Sequence, residues 1–381
     1  MKIVYCVNNV SHIGGVPKVL AIKANVLIEN YNHEVYIVES DPCEFVAESA
    51  QFSPKIKFID LNIHYDKLPV SGKWNPFGIY HQACRLHRQR LVATLESIRP
   101  DIVISLGNED KFFLTSIRGP WKKIREFHWT TNIREILYGC YSTRNHIIAK
   151  ILDFIESQFV LRKFDSIVLL SENEKQRCWS KRKNVCVIPN PRTFHCDSIS
   201  ELKSKKLISV GRLQYQKNYE SLIRIISVVN KVFPDWSLEI YGDGPDREKL
   251  QNQINAFGLT KTIELKGNTK HIKEVLLNAS CFVLSSRWEG MPLVMIEAMT
   301  CGLPIIAYDC PSGPRDLITD GENGYLIPYG DETAFASKVM ELIENENLRV
   351  RLGAEAKAKS ELYAIDRIMS IWQDLFESLY S

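Results

Sequence analysis

Two glutamates eight positions apart, Glu289 and Glu297, lie in the segment Ser286-Arg287-Trp288-Glu289-Gly290-Met291-Pro292-Leu293-Val294-Met295-Ile296-Glu297-Ala298-Met299. An acid in so apolar a stretch as the one around Glu297 means a paired group, a cap or a ligand contact. The apolar run 281–284 reads as a strand that delivers the chain into a loop holding Glu289. Pro292 suits the opening of a helix, so the amides of Gly290, Met291 and Leu293 would point outward at an anion or a hydroxyl. Two acids placed in this way could hold hydroxyls on two parts of one ligand, or act as general acid and base. Spacing alone also allows a capping acid and a helix-surface acid.

Cations come earlier. Gly211-Arg212-Leu213 ends a predicted strand, and Lys217-Asn218 opens the next helix. Arg212 supplies a planar fork and Lys217 a point charge at a helix N-terminus, a combination that suits a pyrophosphate; two surface cations would show the same spacing. Near the start of the chain, Gly14-Gly15 falls between a first strand and a helix opening at Pro17, where amides attract anions and glycine permits close approach. The dinucleotide fingerprint G-x-G-x-x-G is not met there, and any tight strand-to-helix turn could use the same glycines.

The elements that must position these residues alternate along the chain. Predicted strands at 2–7, 34–38, 57–61, 101–106, 166–170 and 185–188 are interleaved with helical patterns at 17–29, 82–98 and 149–164. Ser171 and Glu174 form a capping signal for a helix after residue 170. Pro189-Asn190-Pro191 and the polar run that follows break the pattern and read as a linker. A second series has strands at 206–210, 237–241, 262–265, 281–284 and 304–307, with helices at 218–232, 245–257, 271–278, 292–301 and 332–343. This order predicts an α/β protein of two Rossmann-like doubly wound domains facing across a cleft, with ligands at the carboxyl ends of the strands. The expected division is a first domain over 1–190, a linker over 191–205, a second domain over 206–365 and a terminal helix over 366–381. The pattern does not say on which domain that helix packs.

The chain has 381 residues, too many for one ordinary core, with 45% hydrophobic and 24% charged residues, as in a soluble globular protein. No apolar run is long enough to span a bilayer, and the start of the chain reads as a strand rather than a signal peptide. Ten cysteines without a C-x-x-C pair suggest reduced thiols and a cytoplasmic home. The net charge of +3 hides an asymmetry: residues 1–200 carry 27 Lys/Arg against 20 Asp/Glu. Basic clusters at Arg85, Arg88 and Arg90, at Arg118, Lys122, Lys123 and Arg125, and at Lys181, Arg182 and Lys183 are either solvated faces or an attraction to an anionic membrane surface or pyrophosphate-linked lipid. No nucleic-acid motif accompanies them, and no nucleic-acid partner is expected.

These residues carry a resemblance. Glu289 and Glu297, with seven residues between, match the E-x7-E element of the retaining glycosyltransferase family 4. Gly211-Arg212-Leu213, Lys217-Asn218, Tyr241-Gly242-Asp243-Gly244-Pro245, Cys301-Gly302-Leu303-Pro304 and Asn323-Gly324 follow that family's order and approximate spacing. The first half agrees more loosely, through Gly14-Gly15, His128 after an Arg-Glu-Phe strand, Ser171-Glu172 and Pro189-Asn190. The segment 308–316 is similar to members that build bacterial surface polysaccharides, with Asp316 where many have Glu. The loop before Pro17 lacks a Glu frequent nearby.

The resemblance implies a GT-B fold whose last helix crosses back to the first domain. It implies a hexose donor carried on a nucleotide diphosphate, UDP-hexose being favoured, and a lipid-linked or lipopolysaccharide or capsule glycan acceptor joined in alpha linkage. Arg212 and Lys217 would neutralise the diphosphate. Glu289, with Gly290, Met291, Pro292 and Leu293, would hold the sugar, and Glu297 the ribose. His128 would lie by the reacting carbon, and Gly15, Gly211, Gly242 and Asn268 would line the donor side. Reaction would follow front-face displacement without an enzyme nucleophile. The sequence has no D-x-D, and neither metal nor cofactor is expected. An epimerase or phosphorylase of the same fold, or a non-catalytic sugar-binding protein, are the competing readings.

Overall fold

The computed structural model describes residues 1–10, 14–41, 51–68, 78–131, 133–134, 136 and 143–380. The chain divides into two compact units. The first comprises Met1–Leu170, Glu174–Ile188 and Ile368–Ser381; the second comprises Ser171–Asn173 and Pro189–Arg367. The eight described cysteines are free thiols; Cys43 and Cys140 lie outside the described residues.

In the first unit, strands β1 (Lys2–Val7), β2 (Glu34–Glu39), β3 (Lys57–Asp60), β4 (Ile102–Ser105), β5 (Lys122–Glu126), β6 (Ser166–Leu169) and β7 (Val185–Val187) form one sheet in the order β3-β2-β1-β4-β5-β6-β7. All neighbours are parallel; Val4, for example, pairs with Tyr36 on one side and Val103 on the other. Helices α1 (Gly15–Glu29), α2 (Ile79–Ile98) and α3 (Thr143–Ile155) connect the strands. Both faces of a parallel sheet are covered, which is why β1, β4 and β6 read as unbroken apolar runs. The strand order reverses between β1 and β4.

β5 breaks that rule. Four of its five residues, Lys122, Lys123, Arg125 and Glu126, are charged. It stays in the sheet because its charges find partners at depth. Arg125 donates to Ser105 Oγ at 2.8 Å and to the Ser105 carbonyl at 3.2 Å, and Lys123 Nζ donates to the Ile117 carbonyl at 2.6 Å. Of the expected basic patch, Arg125 is therefore sheet interior, Lys122 and Lys123 are half-buried and Arg118 is exposed.

In the second unit, β8 (Lys206–Val210), β9 (Ser237–Tyr241), β10 (Ile263–Gly267), β11 (Cys281–Leu284), β12 (Ile305–Asp309) and β13 (Gly324–Pro328) run parallel in the order β10-β9-β8-β11-β12-β13. The longer helices here are α4 (Tyr219–Val232), α5 (Arg247–Ala256), α6 (Leu293–Thr300), α7 (Glu332–Glu344) and α8 (Glu346–Ser360). Leu222, Ile223 and Ile226 of α4 pack with Leu238, Val283, Ile306 and Phe335 in the core. The order reverses between β8 and β11.

Helix α9 (Ile365–Tyr380) buries Ile368, Met369, Trp372 and Phe376, and from Ile368 onward it groups with the first unit. The capping signal after residue 170 resolves differently from its sequence pattern. Asp316, not Glu174, receives the amides of Glu172 and Asn173 at 3.0 and 3.1 Å and the Ser171 hydroxyl at 2.5 Å. Glu174 instead accepts from the Thr131 hydroxyl at 2.8 Å.

Candidate functional site

Open α/β sheets bind ligands beyond the carboxyl ends of the strands where the strand order reverses. In the second unit that point lies between β8 and β11, so the loops after these two strands build the site. The first loop runs from Gly211 through a single 3₁₀ turn at Tyr215–Lys217 to Asn218, which adopts the left-handed conformation at φ 54°. Three contacts fasten it to the second loop. Gln216 Nε2 donates to the Trp288 carbonyl at 2.9 Å, the Arg287 amide to the Gln216 carbonyl at 2.8 Å, and Ser285 Oγ to the Lys217 carbonyl at 2.9 Å.

This clamp sets Lys217 against Glu289. The ammonium lies 2.6 Å from Glu289 Oε1, and Ser286 Oγ donates to the same oxygen at 2.5 Å. Both charged side chains are largely shielded from solvent. Two glycines make room behind them. A Cβ on Gly211 would come within 2.9 Å of Lys217 Cε. Gly242, at φ 133°, would place a Cβ 2.1 Å from the Gly211 carbonyl, a position closed to every other residue type.

Glu289 leads into Gly290 and Met291, whose amides donate to no group among the described residues. Pro292 is the N-cap of α6 with ψ at 105°, so the helix opens at Leu293, one residue after the expected start. Glu297, one turn into α6, is buried and accepts from Thr193 Oγ1 at 2.5 Å. The Asn190 side chain donates to the Met291 carbonyl at 3.3 Å. Arg212 is exposed and makes no ion pair among the described residues, and Asn268 is exposed just after β10. Together the set offers a free guanidinium, a paired ammonium, unpartnered amides and two carboxylates: the groups needed to hold an anion and several hydroxyls.

In the first unit the reversal point lies between β1 and β4. There a cavity of about 150 Å³ is lined by Val7–Val10, Val16, Pro17, Leu20, Leu106, Asn108 and Arg125–Trp129. Gly14 and Gly15 precede its rim and are exposed; a Cβ on Gly14 would meet nothing within 4 Å. His128 lies on the wall with its side chain 6% exposed, its Nε2 3.1 Å from Glu126 Oε1 but out of line for a hydrogen bond. Behind it, Lys23 Nζ sits 2.7 Å from both oxygens of Glu126. Burial pushes the Glu126 carboxyl up, but Lys23 and His128 outweigh it and hold it down at about 2. Burial lowers the Lys23 ammonium, and its attraction to Glu126 offsets this only in part.

A family model described as "Glycosyl transferases group 1" matches residues 193–359. An uncharacterized glycosyltransferase of Haemophilus influenzae is 28% identical over 380 residues, covering 98% of this chain and 99% of the relative. The amylovoran biosynthesis glycosyltransferase AmsD of Erwinia amylovora is 33% identical over 220 residues, covering 55% of this chain and 62% of its own. Among solved structures, a variant of S. aureus TarM in complex with fondaparinux, alpha-GlcNAc-glycerol and UDP superposes with a TM-score of 0.77 at 17% identity, covering 98% of this chain and 99% of that one. The chain is a glycosyltransferase with the GT-B fold.

For this glycosyltransferase, the structure gathers Gly211, Arg212, Lys217, Gly242, Glu289–Leu293 and Glu297 on the loops and helix starts of one unit, and Gly15 and His128 on the other. Several supporting residues escape sequence reasoning. Gln216, Ser285 and Thr193 hold the loops and Glu297 through contacts 68 to 104 positions apart in the chain. Ser286 carries the one local signal, a hydroxyl three positions before Glu289. Lys23 and Glu126, 103 positions apart, carry none.

Proposed function

We propose that this protein is a retaining hexosyltransferase that moves a hexose from UDP-hexose, in alpha linkage, to a polysaccharide or lipid-linked glycan at the cytoplasmic face of a membrane. The observation that carries the reading is the Lys217–Glu289–Ser286 constellation at the strand-order reversal of the second unit, with Glu297 one helical turn beyond. The amylovoran relative and the UDP-bound structure support the polysaccharide acceptor and the UDP donor.

In this reading Arg212 and Lys217 meet the diphosphate, and the amides of Gly290 and Met291 add donors where negative charge develops. Glu297 accepts from the ribose hydroxyls, and Glu289 from the hexose. The bond from the anomeric carbon to the phosphate oxygen breaks as the acceptor oxygen attacks the same face. The departing phosphate takes the acceptor's proton, so no carboxylate needs to act as nucleophile. His128 steadies the sugar by hydrogen bonding. Charge on the leaving group is met by side chains and amides, with no metal required.

The test begins with a panel of nucleotide sugars scored by melting shift, since a ligand that binds only the folded state raises its stability. The best donor is then offered to glycan acceptors, and the anomeric configuration of the product is read by NMR. Lys217→Ala and Glu297→Ala should abolish transfer while the chain still unfolds cooperatively, at a lowered melting temperature because each removes one partner of a buried contact. Near wild-type turnover in both variants, or a beta-linked product, would sink the reading.

A further inference from the structure

Helix α3 is built inside out. Ala149, Asp153 and Glu156 follow one another at helical spacing, and this is the face that turns inward. Arg134 pairs with Asp153 at 2.9 Å and with Glu156 at 2.5 Å, and Lys111 also pairs with Glu156. The opposite face carries Ile147, Ile151, Leu152, Phe154, Ile155 and, one turn on, Phe159, all exposed, with Phe154 at 62% and Phe159 at 65%. Scattered exposed apolar residues need no explanation, but a continuous stripe of this size on one helix marks an interaction surface.

The rim of the stripe is cationic. Arg182 donates to the Ser157 carbonyl at 2.6 Å and to its hydroxyl at 2.8 Å, which fixes the Lys181–Arg182–Lys183 turn beside the end of the helix. Arg162 and Lys163 follow directly and are exposed, as are Lys181 and Lys183. The only acids between residues 143 and 163 are Asp153 and Glu156, both committed inward, and residues 175–183 contain none. An apolar stripe bordered by basic residues is the pattern of a helix that lies in the interface of an anionic bilayer. No described helix is long and apolar enough to cross a membrane. A second copy is disfavoured, because a two-fold contact would set like-charged rims against each other.

We infer that the outward face of α3, with the Lys181–Lys183 turn, docks this enzyme on the surface of an anionic lipid bilayer. The inference deepens the reading of a membrane-borne acceptor and rests on it for its purpose; the docking itself needs no donor. The full chain is sedimented with vesicles of phosphatidylcholine alone and of phosphatidylcholine mixed with phosphatidylglycerol, at low and high salt. The wild type should bind the anionic vesicles only, and release with salt. Phe154→Asp with Phe159→Asp should lose more than about tenfold in partitioning. Lys181→Glu with Lys183→Glu should lose about fivefold or more for each charge removed. Both sites are exposed, and unchanged melting curves will show that the variants fold.

Equal binding of wild type and variants, or no binding of the wild type, overturns the proposal. So does a concentration-dependent dimer, seen by light scattering, that Phe154→Asp dissolves. Transfer to a water-soluble acceptor fragment, run on the same variants, should stay at wild-type turnover. If the wild type transfers from no donor yet still binds anionic vesicles, the catalytic reading fails and the docking surface stands.

Discussion

Replacing Lys23 by Met tests the buried charge arrangement behind His128. Lys23 is 1% exposed and Glu126 2%, and the ammonium meets both carboxylate oxygens at 2.7 Å. Its outer side is covered by Trp372 of α9, whose ring centroid lies 3.6 Å from Nζ. Methionine keeps most of the volume and removes the charge, leaving a buried carboxylate with His128 alone beside it. Breaking such a pair costs about 3–5 kcal/mol. The carboxyl gives a second route to the magnitude: a fall from its ordinary 4.5 to about 2 corresponds to roughly 3 kcal/mol at neutral pH. The sign follows from the depressed value. In the wild type the contribution is complete above about 4.5 and is lost as pH falls toward about 2. In Lys23→Met, burial is less opposed and the carboxyl protonates earlier, so the cost of the substitution should shrink as pH falls below neutral. Urea unfolding of the first unit, followed by tryptophan fluorescence at several pH values, measures this. Glu126→Gln and the double variant complete the cycle. The reasoning fails if Lys23→Met costs under about 1 kcal/mol at pH 7, or if its cost is the same with Gln at 126.

Two further outcomes concern the candidate site of the second unit. Gly313→Ala, at φ 83°, would put a methyl group 2.5 Å from the Gly290 carbonyl and 2.7 Å from Pro292 Cδ. It should destabilise by about 1–3 kcal/mol and lower kcat/KM at least tenfold by displacing the Glu289–Leu293 loop, read from melts and donor-dependent kinetics. Thr193→Val removes a hydroxyl that donates to buried Glu297 at 2.5 Å. It should weaken UDP binding by calorimetry and cost about 1–3 kcal/mol of stability; unchanged affinity would show that Glu297 needs no help from Thr193.

What could be read from the chain, and what could not, follows the range of the interactions involved. β1, β8 and β11 announce themselves because a strand buried on both faces needs a continuous apolar run. β5 does not, since Lys-Lys-Ile-Arg-Glu looks like a surface until Ser105 and Lys23 arrive from elsewhere in the fold. β13 does not either, because it opens on Gly324, whose Cβ would meet the Ile305 carbonyl at 2.2 Å, and closes on Pro328, two residue types that rarely mark a strand. Helix α8 hid for a different reason. Its buried side is Arg349, Leu352, Gly353, Ala356 and Ser360, a contact face of small residues and one guanidinium rather than an apolar stripe. Ser171 and Glu174 had the right spacing for a capping box, yet Asp316, 145 positions on, took the hydroxyl. At the candidate site, Lys217 and Glu289 each stand out by residue type in the loops after β8 and β11. Their mutual pairing does not, because it depends on how two loops 72 positions apart are clamped.

That pairing bears on how a donor would be distinguished from a spent nucleotide. Lys217 cannot turn fully to a phosphate without loosening its 2.6 Å contact with Glu289, whose remaining hydroxyl donor is Ser286. A largely buried carboxylate left short of donors is unfavourable by kcal/mol amounts. A sugar diphosphate can offset this, because its phosphate draws the ammonium while its hexose hydroxyls reach Glu289. UDP alone offers the phosphate and nothing for the carboxylate. Arg212, which has no protein partner among the described residues, meets either ligand without such a cost. On the proposed reading the two cations therefore divide the work. Arg212 attracts any diphosphate, and Lys217 engages fully only when a sugar arrives to take its place at Glu289. The same coupling favours release after transfer, when the hexose has left and Glu289 again competes for Lys217.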